Sequence, residues 1–189
     1  TSIFVEGLLA TGYDAGALPI LAVKPNLRVL ELPVSTSACL EVKSITGGLL
    51  LQEKNWQKIS ANTLTCVTKR IPNKDEVQNM LFAWRVLKHI KSNAILIAHA
   101  ESTIGIGAGQ VSRIDAVDLA IRKADQRIRG AILASDAFFP FRDSIDRMAN
   151  TGIGAIIPPG GAKRDDEVIA ACNEHHLAMV FTGKRCFKH

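Results

Sequence analysis

Long apolar runs are missing: no stretch reaches the ~20 residues needed to span a bilayer. No signal-peptide pattern opens the chain. It begins Thr1-Ser2 rather than with methionine, as expected of a fragment or a processed chain. Cysteines are few and far apart. Cys39, Cys66, Cys172 and Cys186 form no C-x-x-C pair, so neither a disulfide framework nor a zinc knuckle is expected, and they read as reduced cytoplasmic thiols. No Gly/Ser-rich or Pro-rich run occurs, which argues against a flexible linker, and no internal repeat suggests a solenoid. The net charge of +5 is too small to mean nucleic acid by itself; it favours an anionic ligand, and a merely basic surface is the simpler reading. Neither nucleic acid nor membrane is expected as a partner. What is present, 47% hydrophobic and 22% charged residues in 189, suits a globular chain with one sizeable core and room for two lobes.

Residues 2–10 read as a strand, Tyr13–Val23 as a helix that Pro25 stops, and Leu27–Leu32 as a half-buried strand. Gly47-Gly48 between two apolar runs marks a hairpin over Cys39–Gln52, and Leu64–Thr68 is a further short strand. Asn73-Lys-Asp-Glu76 is a capping box opening a helix with Val77, Met80, Leu81, Trp84 and Leu87 on one face. Pro72 at its entrance suggests an internal connector near 69–73. From Ala94 strands and helices alternate: strands Ala94–Ala98 and Thr103–Ile106, helix Ser112–Ile128, strand Ala131–Ala134, helix Asp143–Ala149, strand Ala155–Ile157, helix Asp165–Glu174, strand Ala178–Phe181. This is the pattern of an α/β fold, a three-layer α/β/α sandwich whose sheet is mixed because the Ala94 and Thr103 strands pair antiparallel.

The most informative stretch is Gly130–Asp143. A strand buried on both faces ends at Ser135-Asp136, and Phe138, Phe139 and Phe141 follow around Pro140 before Asp143 caps a helix. Ligands bind at strand ends of α/β sheets, so aromatics and a carboxylate there suggest a flat ring with a polar edge. Asn93, at another turn, carries the donor and acceptor that suit an amide-bearing ligand, or it caps a helix end. Gly105-Ile-Gly-Ala-Gly-Gln110 can cradle an anion, with Arg113 one turn on to pair a phosphate, or its glycines serve a close strand–helix crossing. It departs from G-x-G-x-x-G and no suitably placed acid follows, so a nicotinamide or flavin site is not expected. His99-Ala-Glu101 copies the H-x-E of zinc-dependent deaminases, but Phe139–Asp143 lacks the partner cysteines; these read as turn residues and no zinc is expected. Pro158-Pro-Gly-Gly161 is a second loop of cradle or plain turn, and His175-His176 ends a helix near its dipole. The basic ending Lys184–His189 is a free tail or a cover over the ligand edge.

Lys91-Ser-Asn93, Gly105-Ile-Gly-Ala-Gly-Gln-Val-Ser-Arg113, Ala134-Ser-Asp-Ala-Phe-Phe-Pro-Phe-Arg-Asp143 and Arg185-Cys-Phe-Lys-His189 together resemble the carboxy-terminal part of AICAR transformylase. That enzyme is the formyltransferase half of the bifunctional purine-biosynthesis protein that also carries IMP cyclohydrolase. The match runs from Phe4-Val-Glu-Gly7 to His189. The resemblance implies formyl transfer from 10-formyltetrahydrofolate, as co-substrate, to AICAR in a cytoplasmic homodimer, with a cytidine-deaminase-like fold that has lost its zinc. It places Asn93, Arg113, Phe138 and Arg185 at the nucleotide, and Phe141, Asp143 and Ser144 at the folate. Some members hold a monovalent cation near Lys91-Ser-Asn93 and Asp136; Ala94 and Lys188 depart from the ligand pattern, so no metal is expected. No segment matches the family's Lys-His proton-transfer pair or its cyclohydrolase domain. The chain is therefore expected to be inactive alone, with His99 and His189 candidates by residue type only. The alternative is a non-catalytic nucleotide-binding module of the same fold.

Overall fold

The computed structural model describes residues 4–33 and 40–189, so Cys39 lies outside the described residues. The chain divides into two compact units, Thr1–Lys54 and Asn55–His189. The division falls at Lys54/Asn55, not at the connector expected near 69–73. That segment is stitched into the second unit instead: Lys69 N donates to Asn173 Oδ1 at 2.8 Å, and Arg70 pairs with Glu76 at 2.7 Å while donating to Gly154 O at 3.1 Å.

In the first unit, β1 (Gly7–Ala10) pairs in parallel with β2 (Arg28–Glu31), and α1 (Ala17–Ala22) connects them. Tyr13 Oη bridges the two strands through Leu8 O at 3.2 Å and Leu30 O at 2.9 Å. The expected hairpin is β3 (Leu40–Ile45) against β4 (Gly48–Glu53), turning at Gly47 with φ +83°. Strand periodicity puts Leu40, Val42, Leu49 and Leu51 on one face of it, and all four are exposed.

The second unit is a six-stranded sheet. Its strands are β5 (Thr65–Cys66), β6 (Ile95–His99), β7 (Ser102–Gly107), β8 (Ile132–Ser135), β9 (Ala155–Ile157) and β10 (Ala178–Phe181), in the order β5-β10-β9-β8-β6-β7. β8, β9 and β10 run parallel; β6 is antiparallel to β7 and β8, and β5 to β10, so the sheet is mixed as expected. Helix α2 (Lys74–Leu87) covers one face, where Met80, Ala83, Trp84 and Leu87 meet Leu96, Ile132, Ala134, Ile157 and Val180. On the other face α3 (Arg113–Ala124), α4 (Asp143–Ala149) and α5 (Asp165–Glu174) enclose Ile95, Ile97, Leu133, Ile156 and Met179. Both faces of each central strand are thus buried, which explains their unbroken apolar runs.

The capping box of α2 forms as the sequence predicts: Glu76 N donates to Asn73 Oδ1 at 2.9 Å and Asn73 N to Glu76 Oε2 at 2.8 Å. For the glycine run the close-crossing reading holds. A Cβ on Gly107 would lie 2.0 Å from Ala116 O, and one on Gly105 2.2 Å from Ala120 O, so these glycines let β7 touch α3.

Candidate functional site

The carboxyl ends of β7, β8, β9 and β10 and the amino end of β6 share one edge of the sheet. Gly107–Arg113, Asp136–Asp143, Pro158–Arg164, Thr182–His189 and Ser92–Asn93 therefore all gather there. His99 and Glu101 do not. They form the β6–β7 turn at the opposite edge, with Ala100 and Glu101 in the left-handed region (φ 48° and 52°), as turn residues.

At the centre is a buried polar knot. Arg113 and Asp136 form an ion pair, with their side chains 8% and 0% exposed. The same Arg113 nitrogen, Nη1, donates to Ser135 Oγ at 3.1 Å, and Nη2 donates to Asn93 Oδ1 at 3.0 Å. Asn93 Nδ2 in turn donates to Gln110 O at 3.0 Å and Val111 O at 3.2 Å. The Ser92–Asn93 peptide is cis. Arg113 thus points its charge inward at Asp136 rather than outward at a phosphate, and Asn93 ties the loop after β7 to that pair. The glycine-led helix start and Arg113 belong to one internal strut.

The basic ending is not a free tail. Ser92 N donates to Lys188 O at 2.9 Å, Lys188 N to Ser92 Oγ at 3.1 Å, and Cys186 N to Asp136 O at 3.1 Å. Ser92 Oγ also donates to Asp136 Oδ2. Asp136 therefore holds both Arg113 and the strap that carries Arg185. Arg185 lies over the half-buried Phe138 ring at 5.2 Å and near the Phe187 ring at 5.9 Å, a cation–π arrangement.

The next platform is Phe141, 48% exposed, in contrast to Phe139, which is 1% exposed and belongs to the core. Arg164, from the loop after β9, sits over the Phe141 ring at 5.1 Å. Asp143 is exposed and is the first residue of α4 rather than its cap; Arg142 holds the cap position and makes no side-chain cap bond. Asp143 Oδ1 instead accepts from its neighbour Ser144, from N at 2.6 Å and Oγ at 3.3 Å. Ser144 itself is buried, so it acts on Asp143 rather than presenting a surface.

Sequence reasoning missed three features. Ser92 and Asp136 as anchors of the strap carry no local signal, because their partners are 44 to 96 residues away. Arg164 over Phe141 was equally hidden. The third is a network between the start of α4 and the end of α5: Arg142 pairs with Asp146 at 2.9 Å and Glu174 at 2.7 Å, and His175 Nε2 meets Asp146 Oδ1 at 2.9 Å. The Arg142 and His175 hydrogen bonds hold the Asp146 carboxyl down at about 2. Only the i,i+4 spacing of Arg142 and Asp146 was visible in sequence. Burial pushes the Cys172 thiol up to about 12 and raises Cys186, so neither offers a thiolate near neutral pH. Among the described residues no group of three or more His, Cys, Asp or Glu could hold a metal ion.

A family model described as "AICARFT/IMPCHase bienzyme" matches residues 1–123. The chain belongs to this family. Among its relatives is a bifunctional purine biosynthesis protein PurH of Magnetococcus marinus, 48% identical over 201 residues, covering 99% of this chain and 38% of that protein. The PurH of Aquifex aeolicus is 50% identical over 192 residues, covering 100% of this chain and 37% of that one. The PurH of Xanthomonas oryzae is 50% identical over 190 residues, covering 98% and 36%. The chain therefore spans a little over a third of the length of the curated relatives it matches. A solved RibD of Acinetobacter baumannii overlaps it with a TM-score of 0.38 at 16% identity, covering 56% of this chain and 33% of that one. An overlap that loose carries no weight for the fold, which rests on the strand order above.

Proposed function

We propose that this chain supplies substrate-binding surface of an AICAR transformylase in purine (IMP) biosynthesis, with a deaminase-like fold in which no zinc takes part. The reaction moves a formyl group from N10 of 10-formyltetrahydrofolate to the exocyclic amine of AICAR. A C–N bond to the amine forms, the bond to N10 breaks, the amine loses a proton and N10 gains one. An amine conjugated to a carboxamide-bearing ring is a weak nucleophile, so positioning is the main help; oriented reactants gain roughly 7–11 kcal/mol.

The observation that carries the reading is the Phe138–Arg185 pair at 5.2 Å on the ligand edge, with exposed Phe141 and Asp143 on the same turn. Phe138 offers a plane for the imidazole, and Arg185 charge for phosphate or carboxamide. Asn93 Oδ1 keeps a second lone pair for the nucleotide, and Arg113 holds Asn93 in place. Phe141 presents its exposed ring to the folate. Both Ser144 hydrogen bonds fall on Asp143 Oδ1, so Oδ2 is the oxygen offered to the folate's ring or amine nitrogens. The exposed apolar face of the β3–β4 hairpin favours a homodimer as the working form. No helix of the described residues is long and apolar enough to cross a membrane. Cytoplasmic placement is part of the same proposal.

The test is formyl transfer by the longer protein that contains this chain, followed by release of tetrahydrofolate. Turnover in that protein, lost with Phe138→Ala and Arg185→Ala and not seen with residues 1–189 alone, is expected. AICAR binding without turnover in the longer protein would leave only a nucleotide-binding module; full turnover by residues 1–189 would show that they need no other segment.

A further inference from the structure

Each partly exposed ring of the 138–141 turn carries a guanidinium from a different loop. Phe138 faces Arg185, which follows β10, and Phe141 faces Arg164, which follows β9, at 5.1 Å. The first pair is absorbed by the nucleotide reading; Arg164 has no assigned role. It is exposed, and its ion pair with Glu167 is long, 3.5 Å between side chains 58% and 39% exposed. Such a pair contributes little and exchanges readily for a better anion. Lys163 beside it is also exposed and adds positive charge.

Its loop is nevertheless well held. Thr182 N donates to Pro158 O at 3.1 Å and Gly183 N to Pro159 O at 3.0 Å, so the loops after β9 and β10 continue the sheet's pairing beyond the strands. Gly160 takes φ +74° against the Phe181 ring, where a Cβ would come within 2.5 Å. Gly161 N donates to Asp165 Oδ2 at 2.6 Å, pinning the loop to the start of α5. Arg164 is therefore an exposed charge on a fixed base, held over an aromatic ring.

We infer that Arg164 binds the glutamyl carboxylates of the folate co-substrate while stacked on Phe141. The assignment rests on the folate reading of Phe141 and Asp143. Folate is donor-rich at its pteridine end and anionic at its glutamyl end. Asp143 supplies the acceptor for the first, and Arg164 the cation for the second. A guanidinium can grip a carboxylate through its edge while its face stays on a ring, which an ammonium cannot do.

The test uses the complete protein and two co-substrates, 10-formyltetrahydrofolate and 10-formyltetrahydropteroate, which lacks the glutamate. Arg164→Ala should raise KM for the folate about tenfold, the scale of one lost charge-assisted contact, with kcat and KM for AICAR unchanged. With the pteroate, wild type and variant should behave alike, and Arg164→Lys should fall between them on the folate. An equal loss on both compounds, or none on either, overturns the assignment: Arg164 would then only support the Phe141 ring, or do nothing. If wild type favours the folate over the pteroate and Arg164→Ala keeps that preference, the folate reading survives and Arg164 is excluded. If wild type uses neither compound, the folate reading falls and takes this assignment with it.

Discussion

Arg113 and Asp136 are 23 residues apart in the chain and meet as a buried ion pair at the sheet edge where the loops gather, with side chains 8% and 0% exposed. A buried pair of this kind adds little net stability over apolar residues, but it is costly to break from one side. Arg113→Ala leaves the Asp136 carboxylate uncompensated and frees Asn93 from its donor. The expected loss is about 3–5 kcal/mol in urea unfolding. Unchanged unfolding together with lost AICAR affinity would instead make Arg113 an outward-facing phosphate ligand.

Phe139 and Phe141 separate core from site. Phe139→Ala should cost about 3–5 kcal/mol, because a ring 1% exposed leaves a cavity behind. Phe141→Ala, at a ring 48% exposed, should unfold close to wild type yet lose folate affinity in the complete protein. Equal destabilisation by the two changes would make Phe141 a packing residue.

Asp143→Asn tests the carboxylate. As the first residue of α4, Asp143 contributes to the helix through its charge, roughly 0.3–1 kcal/mol, and through the bond it accepts from Ser144 N, which an asparagine oxygen can also accept. The variant should melt within a few degrees of wild type while the complete protein loses most of its transformylase rate. Normal turnover by the folded variant would remove Asp143 from the folate site.

Asp146 predicts a pH dependence. Its folded-state pKa is lowered from 3.8 to about 2 by hydrogen bonds from Arg142 and His175. A depressed carboxylate contributes stability above its unfolded pKa and loses it as pH falls through the folded value. Asp146→Asn should therefore be less stable than wild type at pH 6, and the gap should close between about pH 4 and pH 2. The side chain is 40% exposed, so screening keeps the effect small, on the order of 1 kcal/mol or less. A gap that is constant from pH 6 to pH 3 in urea unfolding would mean that the network does not hold the charged form.

Much of the architecture was legible in the sequence, because it is written in local patterns. The capping box at Asn73–Glu76, the apolar face of α2, the Gly47 turn and the alternation after Ala94 each depend on residues within a turn or two of one another. The stretch 135–143 also stood out, as aromatics after a doubly buried strand; the structure leaves Phe138 and Phe141 partly exposed there and puts Phe139 in the core. The local signal failed where two structures share one signature. An Asp before a helical run reads as a cap, yet the backbone of α4 begins one residue earlier and turns Asp143 outward. A proline at Pro72 reads as a boundary, yet Arg70 is tied to Gly154 and the units divide at Lys54/Asn55.

The amino-acid sequence by itself determined the elements, their order and the edge at which polar and aromatic side chains gather, because hydrophobic period and turn chemistry act over short range. Only the tertiary structure decided which charges face inward and which outward. Arg113 and Arg164 both stand at helix starts next to glycine-bearing loops and look alike in sequence. One is spent on Asp136, which β8 brings beneath it, and the other is left on an exposed ring. The difference lies in partners that are far apart along the chain and adjacent only once the sheet has formed, so no local pattern can encode it.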